Sequence, residues 1–214
     1  MKKNMLLIAA LTVGISLCGC TSVYYSTMEK FGLEKRDILV KRVDKAKDAQ
    51  KDTQKTFKNA LEQFESVVQY DGGDLQKQYD KMSSQLERCE NRALEVTQRI
   101  KDVDHVASDL FKEWARETKQ YQNPAFRRDS EKKLSETKTR YGEMIAAMRH
   151  AEASIKPVLA VFRDQTLYLK HNLNAKALAS LQDESEKMST DVNALIHELS
   201  IAIAEADRFI NDMK

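Results

Sequence analysis

Glycine and proline are nearly missing from this chain of 214 residues, which holds 6 glycines and 2 prolines. Tight turns draw heavily on those two residue types. Once Gly14 and Gly19 are assigned to an apolar leader, only Gly32, Gly72, Gly73, Gly142, Pro124 and Pro157 remain. So few turn residues over the roughly 195 positions after the leader imply long helices and argue against a sheet protein. Cysteine is scarce as well. Three residues, Cys18, Cys20 and Cys89, are too few for a disulfide framework. There is no surplus of one charge either: 35 basic side chains face 33 acidic ones, and Lys2 and Lys3 of the leader make up the difference. A nucleic-acid binder needs a basic footprint to neutralise phosphates, so no nucleic-acid partner is expected.

The N-terminus holds the first positive signal. A basic start, Met1-Lys2-Lys3-Asn4, precedes an uncharged run from Met5 to Leu17 and then small residues, which is the layout of a secretory signal. Its apolar run of about 13 residues falls short of the roughly 20 a span needs, so cleavage is expected. Leu17-Cys18-Gly19-Cys20 resembles the bacterial lipobox, with Leu three before and a small residue one before the modified cysteine. Cys18 cannot be the lipidated residue, because Leu17 would then stand where a small side chain is needed. The reading is a lipoprotein signal peptide over 1–19 and lipid attachment at Cys20, whose acyl chains hold the protein on a membrane. Thr21, where retained inner-membrane lipoproteins carry Asp, implies the outer membrane, facing the periplasm. Residues 20–33 read as a lipidated N-terminus and short tether. There Ser26 and Glu29 have capping-box spacing, and Tyr24 and Tyr25 lie either at head-group depth or against the bundle's own end.

From residue 34 to 214 the pattern is heptad. Leu75, Tyr79, Met82, Leu86, Cys89, Ala93, Val96, Ile100, Val103, Ala107, Leu110 and Trp114 alternate spacings of four and three, every one apolar. Cys89 is thereby a small buried hydrophobe. Leu39 to Val67 repeats the pattern, broken by Gln50 and Thr53; Leu134 to Leu169 and Leu178 to Met213 give two more seams. Ile196, Ile203 and Ile210 widen the last stripe, as a bundle requires. Turns fall at Asp71-Gly72-Gly73-Asp74, Gln122-Asn123-Pro124 and His171-Asn172-Leu173-Asn174. The expectation is an all-α, long antiparallel four-helix bundle, up-down-up-down, with coiled-coil-like supercoil and helices at about 34–70, 75–121, 124–170 and 174–213. Helices of that size make a rod on the order of 60 Å long, with a kink near Ser154 imposed by Pro157.

Taken together, the lipobox and the stretches YYSTMEKFG, KRDILV, DGGDL, RRDSEKKL and above all VFRDQTLYLKHNLNAKALASLQ resemble an uncharacterised bacterial lipoprotein family, the domain-of-unknown-function 2959 group. The resemblance runs from about residue 20 to residue 210 and implies no assigned activity.

No constellation for chemistry stands out. A di-iron bundle needs Glu three residues before histidine, and none of His105, His150, His171 or His197 has it. The paired glycines sit in DGGD, whose acids would repel phosphate, and no serine lies in a nucleophile elbow. No cofactor, no metal and no enzymatic activity are expected. Two surface clusters remain as candidate partner sites: Arg127 and Arg128 in a mixed-charge stretch, and Arg163, Asp164, Lys170, His171, Asn172 and Asn174 around a helix end. For the second cluster, a capped turn with cations at a helix C-terminus is the competing reading. The functional expectation is a lipid-anchored scaffold or adaptor of the cell envelope, bound to its membrane through the N-terminal lipid and to an envelope protein of unknown identity. The alternative is a carrier holding an apolar ligand such as a lipid within the bundle. Oligomeric state is left open, since a bundle can also form from two hairpins.

Overall fold

The heptad seams become helices in the computed structural model, which describes residues 35–70 and 72–213. The leader, Cys20, the tether and the tyrosines at 24 and 25 lie outside the described residues. Five helices follow one another, with no strand among the described residues: α1 Lys35–Val68, α2 Leu75–Thr118, α3 Pro124–His171, α4 Ala175–Asp183 and α5 Ser185–Met213. No described helix is long and apolar enough to cross a membrane. Residues Arg36–Lys214 form one compact unit.

The chemistry that ends each helix is local. Asp74 accepts the Lys77 backbone N–H at 3.3 Å and starts α2, while Gly73 takes the left-handed conformation with φ 106°. Asn123 accepts from the Ala125 N–H at 2.8 Å, and Pro124 follows at the first helical position, where its missing N–H costs nothing. Helix α3 continues through Pro157 without interruption.

The stripes face inward. Leu39, Phe57, Phe64, Met148, Leu169, Met188, Leu195 and Leu199 are all less than 2% exposed. Each such burial stabilises the fold by roughly 1.5–3 kcal/mol. Phe57 of α1 and Phe162 of α3 meet edge to face across the core, centroids 6.2 Å apart. Contacts between neighbouring helices run in opposite sequence order: Arg42 with Asp102 and Asp52 with Arg92 join α1 to α2, Lys47 with Asp207 and Gln54 with Ser200 join α1 to α5. Both polar residues of the first stripe are fully buried. Thr53 satisfies its hydroxyl on Ala49 O at 2.8 Å, but neither amide atom of Gln50 has a hydrogen-bond partner.

The fourth expected helix needs correcting, because 174–213 is two helices rather than one. At Glu184 the backbone N–H turns to Leu181 O, three residues back, at 3.2 Å, and α5 starts anew at Ser185. The half-buried Ser185 holds the stripe position there, amid the exposed Asp183, Glu184 and Glu186.

Candidate functional site

The sequence-derived candidates fall into two groups at opposite ends of the bundle. Asn172 caps α3, its side-chain amide donating to Tyr168 O at 3.0 Å and its backbone N–H to Leu169 O at 3.2 Å. Asn174 caps α4, accepting from the Ala177 N–H at 3.1 Å. Both asparagines therefore bond chain ends first, with Lys170 and His171 exposed in the last turn of α3 beside them. Leu178 of α4 lines a cavity with Tyr70, Gly72 and Gly73, which puts this turn beside the one between α1 and α2. At the far end Arg127 donates to Lys119 O and Tyr121 O, at 3.2 and 2.9 Å, so it braces the α2–α3 turn, while Arg128 is exposed.

Arg163 behaves differently from its sequence neighbours. It reaches across to α2 and pairs with Glu90, whereas Asp164 beside it is exposed. That pair stands on the rim of a groove of about 710 Å³ between α2 and α3. Ala93, Ile155 and Leu159 form the apolar floor, with Leu94 above it; Glu90, Arg149, Glu152, Lys156 and Arg163 make a rim of both signs. Thr97 donates to Glu152 at 2.6 Å across the groove. Arg149 pairs with Asp104, whose other oxygen accepts the Tyr141 hydroxyl at 2.6 Å. Burial and that acidic neighbour push the Tyr141 phenol up, so it stays a donor. Leu94 is 70% exposed in this groove. Counting seams could not find it, because Leu94 lies one position off the stripe. The available signal is its pairing with Ala93, a small seam residue that leaves room beside it.

Cys89, the one thiol among the described residues, is fully buried, and its pKa is pushed up to about 12 by desolvation and then by nearby Glu90. Among the described residues no three His, Cys, Asp or Glu side chains come together as a metal site.

A family model matches residues 24–213, which include every described residue, and that family carries the description "Protein of unknown function (DUF2959)". The chain belongs to the DUF2959 family. No curated protein and no solved structure matches it. Groove and both capped turns of this DUF2959 chain lie inside the matched region.

Proposed function

We propose that the chain is a lipid-anchored helical scaffold or adaptor of the bacterial cell envelope, without catalytic activity, which docks an envelope protein in its α2–α3 groove. Cleavage before Cys20 and acylation there put the protein on a membrane, with the outer membrane's periplasmic face as the expected site. The observation that carries docking is Leu94, 70% exposed above an apolar floor. Burying apolar surface releases roughly 25 cal/mol per Å², so a partner that covers Leu94 gains affinity from it. The two-signed rim fits an amphipathic helix lying in the groove, its apolar face down and its flanks charged.

A photoreactive amino acid at position 94, introduced in cells, is expected to crosslink a specific envelope protein, and one at Glu62 on the exposed face of α1 is not. Leu94→Glu is expected to weaken binding of that protein at least tenfold while leaving thermal unfolding unchanged. Equal crosslinking at both positions would count against a dedicated groove.

The carrier reading draws on the same groove, whose volume falls in the range of about 300–1,000 Å³ that small-molecule sites occupy. Native mass spectrometry separates the two: a co-purifying lipid lost on Leu94→Glu supports the carrier, and bare protein supports the scaffold.

A further inference from the structure

The end of the bundle where α1 begins is also the end where α2 turns into α3. Arg36 donates to Met213 O, and both lie with Trp114 and Lys133 around a cavity of about 610 Å³. Asp212 pairs with Arg140 at 3.2 Å, and α3 starts at Pro124, so the α2–α3 hairpin runs on roughly 24 Å past that pair at 1.5 Å per residue. The hairpin's own contacts hold it: Trp114 Nε1 and the Thr118 hydroxyl meet Ser130 Oγ at 2.9 and 2.8 Å, and Arg127 ties down the turn. On this braced turn Phe126 is 62% exposed and Tyr121 43%. Six Lys and Arg side chains face three acidic ones between 116 and 133, with Lys119, Arg127 and Arg128 nearest the turn. Arg116, Lys132 and Lys133 pair with Glu113, Glu136 and Asp129, whereas Lys119 and Arg128 stand exposed beside the turn.

The geometry points to a lipid-contact surface at this turn, in which Tyr121 and Phe126 enter the head-group layer of the bilayer that anchors the protein and Lys119 and Arg128 meet anionic head groups. The inference rests on the anchor proposed at Cys20. That cysteine lies fifteen residues before Lys35, at most about 50 Å of extended chain, so its acyl chains bring the α1 end of the bundle to a bilayer. Aromatic rings are favoured at the membrane–water boundary, and clustered Lys and Arg are drawn to anionic lipid. At the opposite end of the bundle the exposed Leu167, Tyr168 and Leu173 have no such link to a membrane.

The test uses the full, acylated protein carrying Phe126→Trp, reconstituted in phosphatidylcholine vesicles with and without one third phosphatidylglycerol. Emission of the unsubstituted protein, due to its single Trp114, is subtracted. On the anionic vesicles the added indole is expected to shift to the blue, to lose access to iodide and to be quenched by brominated acyl chains. Adding Lys119→Glu with Arg128→Glu restores iodide access while the protein still floats with the vesicles. Floating protein whose added indole stays open to iodide overturns the tip contact and leaves the anchor standing. An indole closed to iodide yet untouched by brominated lipid means that protein, such as a second copy, covers the turn, which also overturns it. Protein that fails to float at all overturns the anchor and the contact together.

Discussion

At position 50 an amide sits fully buried in a stripe of apolar side chains, with neither its oxygen nor its nitrogen hydrogen-bonded. A buried polar group left without a partner costs roughly 1–3 kcal/mol. Gln50→Leu, close in volume, is therefore expected to raise unfolding stability by about that amount, read as a higher urea midpoint at unchanged slope. No gain, or a loss, would mean that Gln50 has a partner in solution. Cys89 makes a second residue-scale prediction. Its thiol is held up at about 12 against an ordinary 9.0, so the folded chain keeps a proton that the unfolded chain gives up. The stability it contributes is fully present below pH 9 and falls away as pH rises toward 12. In the native protein at pH 8 the Cys89 thiol is expected to resist a disulfide reagent for hours and to react within minutes in denaturant.

Among the elements, α3 carries two residues that weaken a helix, Gly142 and Pro157, both exposed. Nothing lies within 4 Å of a Cβ built on Gly142, so Gly142→Ala adds helix propensity without a clash. It is expected to stabilise by roughly 0.5–1 kcal/mol. Gly73→Ala does the opposite, since its φ of 106° strains any residue with a Cβ and the new Cβ would press on the Tyr70 hydroxyl. Thermal unfolding of the two variants reads both signs. The elements also show what the sequence makes legible. Spacings of four and three survive in the sequence because most inward positions are apolar, so the all-α bundle, the caps at Asp74 and Asn123 and the buried Cys89 could be read directly. The break at Glu184 could not, since one serine in a stripe looks like Gln50 or Thr53, which leave α1 continuous. Leu94 was equally hidden: an exposed leucine beside a seam is ordinary until the facing helix supplies the floor and rim of a groove. Of the candidate residues, Arg163 reaches that groove, whereas Asn172 and Asn174 cap helix ends.

The whole molecule has a closed helical core with a groove on its flank, to which the proposal adds a docked partner and a lipid at Cys20. The ion pairs along its faces are largely exposed and contribute little stability each, so the fold is expected to tolerate high salt with only a small change in unfolding midpoint. Everything functional in the account follows from the anchor, because an envelope scaffold and a membrane-facing hairpin both require it. The most direct measurement is the mass of the N-terminal peptide of the protein purified from membranes of a Gram-negative expression host. The account predicts a chain beginning at Cys20 that carries a diacylglyceryl thioether and an amide-linked acyl group, with cleavage lost in Cys20→Ala. An unmodified Cys20, or a mature chain that begins at any other residue, would contradict it.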